Sequence, residues 1–296
     1  MAAGIFLGMY NIPRFHYHRP SSLEECFDLM ETYANRSKVI AGGTDLIPAL
    51  RSGKLKLSPD YHLIDISRLN EIRYVKENDG LICIGSATTL SEIQKSEVVK
   101  NRIPVLAQVM EKMGSLQVRH MATIGGNLCN ASPAADSAIP LLILGASVRI
   151  GSRRGEREIS LSDFFLGPGK TVLGPDELLL EIRVPMPSPD AVCTFYKLGR
   201  RNAFTLSVVS VGVYLEKNGE TVKTSRIALG AVAPIPMRAR EVENYLIGKK
   251  LDESTIEEAA SLVENEVKPI TDVRGSEWYR KEMARNLVKK MLSSGL

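Results

Sequence analysis

Two glycine pairs stand among the residues best suited to chemistry. Gly42-Gly43 leads into Thr44 and Asp45, and Gly125-Gly126 leads into Asn127, Asn130, Ser132 and Asp136. Paired glycines let a backbone bend without Cβ clashes and turn its N–H groups toward a ligand. Thr123, Asn127, Asn130 and Ser132 add neutral donors and acceptors suited to a phosphate or to the edge of a polar ring. Asp136 adds one carboxylate, able to accept from a sugar hydroxyl or a ring N–H. No nucleophile with its base and no metal set accompanies them, so the residues suit binding and orientation of a group that brings its own chemistry. On composition alone, 122–136 reads equally as a loop between two core elements.

The elements around the pairs sharpen this reading. Residues 38–41 form a short apolar strand that runs into Gly42-Gly43-Thr44-Asp45-Leu46. Strand, double glycine and helix start is a geometry that presents N–H groups to an anion, although a plain strand-to-helix turn capped by Thr44 has the same sequence. The second pair follows about eighty residues later. Two such turns could grip two phosphates of one dinucleotide. Neither is a Gly-x-Gly-x-x-Gly fingerprint, and Gly169-Lys170-Thr171 is no P-loop, because Phe164 stands where the loop needs glycine.

Elsewhere the chain alternates strand and helix signals. Ser21 or Ser22 caps a helix, with Glu24 and Glu25 three residues on and Leu23, Cys26, Phe27, Met30 and Ala34 on its inner face. His16 and His18 are read as surface residues on opposite faces of an extended segment rather than as metal ligands. Strands at 62–66 and 81–85 are separated by the turn signal Asn78-Asp79-Gly80. Thr89 and Glu92 cap the next helix. Ile103, Leu106, Ala107, Met110 and Met113 line another, its methionines filling core. Arg119 and His120 read equally as solvated edge residues or as groups facing a ligand or partner. A hairpin is expected over 147–160, a loop at 167–171 able to shape access to the site, and a buried strand at 178–185. Pro185, Pro187 and Pro189 mark a domain boundary. Beyond it, strands at 194–198, 207–215 and 226–233 precede three helices, an α+β pattern. Arg200 and Arg201 read as solvated or as lying near a ligand's phosphates, and the solvated reading is preferred.

The totals set limits. With 296 residues, 44% hydrophobic and 24% charged, the chain can form two or three compact domains. A net charge of +4 leaves no footprint of nucleic-acid binding. The scattered Cys26, Cys83, Cys129 and Cys193 argue against a disulfide framework or a Cys-rich metal or iron–sulfur site. The short apolar run at 4–7 is no secretory leader, and no run approaches the ~20 residues of a membrane span. A cytoplasmic chain is expected.

The ordered set Ile40-Ala41-Gly42-Gly43-Thr44-Asp45-Leu46, Thr123-Ile124-Gly125-Gly126-Asn127 and Ser132-Pro133-Ala134-Ala135-Asp136 resembles the FAD-binding medium subunit of the xanthine dehydrogenase and carbon monoxide dehydrogenase family, the molybdenum hydroxylases. The likeness continues through Glu177-Leu178-Leu179-Leu180-Glu181-Ile182-Arg183-Val184-Pro185, Phe195-Tyr196-Lys197-Leu198 and Arg226-Ile227-Ala228-Leu229-Gly230-Ala231-Val232-Ala233-Pro234. Each motif is weak alone; their order is specific.

The fold this resemblance implies is α/β (α+β). It comprises a p-cresol methylhydroxylase-type FAD-binding domain of two subdomains, 10–67 and 68–186, then a C-terminal α+β domain, 191–296, typical of carbon monoxide dehydrogenase flavoproteins. It implies that Val39, Ile40, Ala41, Gly42, Gly43, Thr44, Asp45 and Leu46 hold the diphosphate of FAD together with Ala122, Thr123, Ile124, Gly125, Gly126 and Asn127. Asn130 and Asp136 match positions that bond the cofactor; Leu179 and Lys197 match positions that contact the flavin. Met113 stands where some relatives place an aromatic, and no stacking role is assigned to it. No cysteine-bearing insertion for an in-chain iron–sulfur cluster is present, and no His or Cys can be placed for covalent flavin attachment.

The resemblance further implies an electron-transfer subunit. A large molybdopterin subunit oxidises the substrate, a small subunit relays electrons through 2Fe-2S clusters, and FAD passes them to NAD, ferredoxin, quinone or oxygen. The organic substrate is bound by another chain. Two rivals remain: a self-contained FAD-dependent oxidase or reductase of the same fold, and a flavin-binding scaffold without redox chemistry. Against the first, no catalytic Ser/Glu pair can be assigned.

Overall fold

The computed structural model describes residues 12, 14–201 and 205–294. The apolar run at 4–7 and residues 10, 11 and 13 of the expected first subdomain lie outside the described residues. In chain order, β1 (His16–His18), α1 (Leu23–Tyr33), β2 (Ser37–Ile40), α2 (Leu46–Arg51) and β3 (His62–Asp65) come first. Their strands form a parallel sheet in the order β1-β3-β2, with Ile40 opposite Asp65. The hydroxyl of Ser22 accepts the N–H of Glu25 at 3.2 Å and so starts α1, while Glu25 accepts the N–H of Ser21 at 2.7 Å. Cys26 and Met30 of α1 are buried with Ile64 and Ile66 against Leu178 and Leu180 of the second region.

His16 and His18 share a face, contrary to the expectation above, because side chains two apart on a strand point the same way. The His18 and His62 rings lie 2.8 Å apart, Nε2 to Nδ1, and His16 stacks on His62. Among the described residues no group of three or more His, Cys, Asp or Glu is placed to hold a metal.

The second region runs through β4 (Val75–Asn78), β5 (Leu81–Gly85), α3 (Leu90–Lys95), α4 (Glu97–Arg102), α5 (Pro104–Lys112), α6 (Leu116–Met121), α7 (Ile124–Cys129) and α8 (Ala138–Ile143). It closes with β6 (Ser147–Ser152), β7 (Gly155–Ser160), β8 (Phe165–Gly167), β9 (Lys170–Thr171) and β10 (Leu178–Pro185). β4-β5-β10-β6-β7 is antiparallel throughout, and β8 with β9 makes a separate ribbon. Asp79 and Gly80 both take left-handed conformations at the β4–β5 turn, as a tight hairpin requires. Thr89 and Glu92 form a reciprocal cap at the start of α3. The helices cover β5, β6 and β10 in the largest core, in which α8 is wholly buried and Met110 and Met113 act as filler.

The third region holds β11 (Val192–Gly199), β12 (Ser207–Asn218), β13 (Thr221–Gly230), β14 (Met237–Arg238), α9 (Arg240–Leu246), α10 (Glu253–Glu266) and α11 (Glu277–Ser293). Its antiparallel sheet, β11-β12-β13-β14, alternates sides in the way a strand dictates. Val209, Val211, Val213 and Leu215 enter the core shared with the last three helices. Tyr214 and Ala228 belong to the core of the second region, where α8 meets the sheet. The strand expected at 226–233 begins earlier and stops at Gly230, because Ala231 takes φ 63° and gives its N–H to Pro133 O at 2.8 Å. No helix among the described residues is long and apolar enough to cross a membrane.

Candidate functional site

A cavity of about 640 Å³ is bordered by residues of the first two regions, a size usual for small-molecule and cofactor sites. One wall is continuous chain: Val39, Ile40, Ala41, Gly42, Gly43, Thr44, Asp45 and Leu46. Facing residues are Ala122, Thr123, Gly125, Gly126, Asn127 and Asn130, with Leu179 from β10. The ribbon adds Leu166, Gly169, Lys170 and Thr171; the loop expected at 167–171 is largely the paired strands β8 and β9, with only the turn between them left as loop. Three of the residues proposed from the sequence, Ile124, Asp136 and Lys197, do not border the cavity.

The first glycine pair is an open turn. Gly43 sits at φ 68°, where a side chain would be strained. Gly42 touches the lead-in to the second pair: a Cβ there would lie 1.8 Å from the carbonyl oxygen of Met121. Neither Thr44 nor Asp45 caps α2 with its side chain, so the Thr44 cap of the plain-turn alternative is absent. Within the described residues no acceptor takes the N–H of Gly42, Gly43, Thr44 or Asp45. A run of free amides beside a cavity is a site for an anion.

The second pair is not the loop expected from its glycines. It is the first turn of α7, capped by Thr123. The hydroxyl of Thr123 accepts the N–H of Gly126 at 3.0 Å. Ile124 donates to Thr88 O at 3.1 Å and Gly125 to Ser86 O at 2.9 Å. A Cβ on Gly125 would stand 2.6 Å from that of Ser86, so glycine here permits close packing. The amides of this turn are spent inside the protein, and what it offers the cavity is side chains. Asn127 accepts from the Ser137 hydroxyl at 2.6 Å, which orients its carboxamide.

The cavity holds charges of both signs. Lys38 and Lys170 line it, and neither makes an ion pair among the described residues. Glu177 is occupied by Arg157 and by the N–H of Gly174, and the Arg157 guanidinium holds its carboxyl below the ordinary carboxylate value. Burial pushes Asp45 above that range, against the pull of Lys54. Burial also drives the thiol of Cys129, on the cavity wall, up to about 12, where it is inert at neutral pH.

The outlying residues have other partners. Ile124 is buried in the core. Asp136 accepts from Lys197 Nζ at 2.6 Å and from the Ser207 hydroxyl, all three buried or nearly so, joining the segment after α7 to β11 and β12. Arg119 turns back to the carbonyls of Met113 and Gly114, and Arg200 donates to Val273 O. Sequence reasoning did not select Lys38, Ser86 or Cys129 as site residues. Lys38 alternates outward on its strand and could have been found; Ser86 is brought in by its contact with Gly125, about forty residues away in the chain, which no local pattern reports.

The FAD binding domain in molybdopterin dehydrogenase matches residues 13–187, and the CO dehydrogenase flavoprotein C-terminal domain matches 194–294. The chain is 38% identical over 279 residues to the glyceraldehyde dehydrogenase medium chain of Sulfolobus acidocaldarius, covering 94% of this chain and 97% of that one. It is 32% identical over 282 residues to the carbon monoxide dehydrogenase medium chain of Hydrogenophaga pseudoflava, covering 95% and 97%. It superposes on the solved carbon monoxide dehydrogenase from Hydrogenophaga pseudoflava with a TM-score of 0.92 at 32% identity, covering 96% and 98% of the two chains. For quinoline 2-oxidoreductase from Pseudomonas putida 86 the TM-score is 0.88 at 28% identity, with coverage of 96% and 98%. The chain belongs to the family of FAD-binding medium subunits of xanthine and carbon monoxide dehydrogenases, the molybdenum hydroxylases.

Proposed function

We propose that the diphosphate of FAD lies against the free amides of Gly42, Gly43, Thr44 and Asp45, with the rest of the cofactor in the cavity they border. That run of unspent N–H groups carries the reading. Lys38 and Lys170 add positive charge to a site for a dianion, and the facing wall adds the side chains of Thr123, Asn127 and Asn130. Leu179 supplies apolar contact. Asp136 and Lys197 stay in the proposed site on their motif positions, as a buried pair that braces the segment after α7 beside the cavity. Bound in this cavity, FAD would supply the chemistry of one-electron uptake and two-electron release. This chain binds and orients the group and shields it from water; it does no acid–base work on the organic substrate.

The assembly proposed is a heterotrimer with a large molybdopterin subunit and a small subunit carrying 2Fe-2S clusters, delivering electrons to NAD, ferredoxin, quinone or oxygen. The four free thiols fit a reducing, cytoplasmic setting. We take boundaries at 10–67, 68–186 and 191–296, which keep the three larger sheets in separate units, and the spans of the two family models support the division before residue 191.

Purification tests the proposal. The expected product is yellow, releases FAD on denaturation, and brings molybdenum and iron with its partners. A folded chain that is colourless and takes up no added FAD overturns it, and a lone yellow protein that turns over substrate supports a self-contained enzyme instead. Asp136→Ala separately tests contact with the cofactor: it should weaken FAD retention by about tenfold, and an unchanged dissociation constant removes Asp136 from the site.

A further inference from the structure

We propose that Ser86 is a cofactor-positioning residue whose hydroxyl donates a hydrogen bond to an oxygen of the bound dinucleotide's diphosphate. The proposal rests on the reading of the cavity as an FAD site. Ser86 borders the cavity directly after β5. Its main chain is engaged on both sides: the N–H donates to Leu180 O and the carbonyl accepts from Gly125 N, each at 2.9 Å. The residue is only 3% exposed, its Cβ packed where Gly125 has no Cβ, and its buried Oγ has no hydrogen-bond partner among the described residues.

A buried hydroxyl without a partner is costly, because burial strips it of water and nothing replaces the lost bond. Such orphans are few in folded proteins, and each calls for a cause. The spent amides of the second glycine pair give this one a cause. The wall formed by α7 needs donors for an anionic ligand, and its own N–H groups at Ile124, Gly125 and Gly126 are already taken. Ser86 is a donor in that wall with no competing partner. The first pair therefore binds through main chain and the second through side-chain hydroxyls and carboxamides.

The test compares wild-type full-length chain with Ser86→Ala, each stripped of FAD, by titration with FAD and with riboflavin, which lacks phosphate. Ser86→Ala is expected to raise the Kd for FAD by about tenfold and to leave riboflavin binding unchanged. Its apoprotein should melt at the wild-type temperature or above, since the substitution removes an orphan. Equal FAD affinity in the two proteins overturns the role of Ser86 and leaves the cavity reading standing. A variant that melts lower and loses both ligands alike overturns it too, as a structural role would. Wild-type apoprotein that binds no FAD overturns the cavity reading itself.

Discussion

The two glycine pairs look alike as text and differ in kind as structure. Gly42-Gly43 keeps its N–H groups unspent and bends into a left-handed residue, whereas Gly125-Gly126 begins a helix whose amides are consumed by Ser86, Thr88 and Thr123. In the first pair glycine serves conformation and a backbone–backbone approach; in the second it serves packing. The lesson is that a double glycine beside small polar residues does not by itself make an amide cradle. The accounting of acceptors decides.

The largest expected effect on FAD binding lies where the pairs meet. Gly42→Ala places a Cβ 1.8 Å from Met121 O, so the two backbones must part. FAD affinity should fall by about a hundredfold, ~2.7 kcal/mol, with a clear drop in Tm. Gly126→Ala meets only the Thr123 hydroxyl, at 2.9 Å, and should stay within about fivefold of wild type, ~1 kcal/mol. Flavin titration of both measures this; equal damage from the two breaks the contrast.

Next comes damage away from either pair. Lys197→Ala leaves Asp136 buried with only Ser207 and should cost about 3 kcal/mol, as broken buried pairs do. The double substitution Lys197→Met with Asp136→Leu should recover most of it in denaturant unfolding. Failure to recover means that the pair does more than neutralise its own charges.

The caps give a smaller, sharper contrast. Thr123→Ala removes a real cap and should destabilise by about 1 kcal/mol. Thr44→Ala removes none and should fall within about 0.5 kcal/mol of wild type. Similar melting curves for the two would sink the distinction between open turn and capped helix.

The least effect is on pH dependence. Because the folded-state pKa of Glu177 is lowered by Arg157, its contribution is present above the unfolded value and is lost as pH falls through the folded one. The wild type should therefore lose stability more steeply than Glu177→Gln below about pH 4.5, the ordinary glutamate value. Melting temperatures across that range check it; parallel curves remove Glu177 from the cavity wall's support.

Much of the frame could be read from the chain. The caps at Ser22 and at Thr89 with Glu92, the turn at Asp79-Gly80 and the core methionines on α5 depend on neighbours within four residues, and the structure has them. Helix α7 could not be read, because two glycines cost about 1 kcal/mol each in a helix. It forms because β5 runs on into Ser86 and Thr88, whose carbonyls accept from its first turn. The end of β13 moved for a similar reason: Ala231 is held left-handed by a bond to Pro133, nearly a hundred residues earlier.

From its own order of residues, then, this protein determined most of its strands and capped helices, and the family through its ordered motifs. Those features are written in local periodicity, turn chemistry and motif order. Tertiary structure alone decided which amides stay free, that Asp136 finds Lys197, and that Ser86 is left without a partner. Each depends on an acceptor or a charge from a distant segment, and a hydrogen bond is settled only when both of its ends are in place.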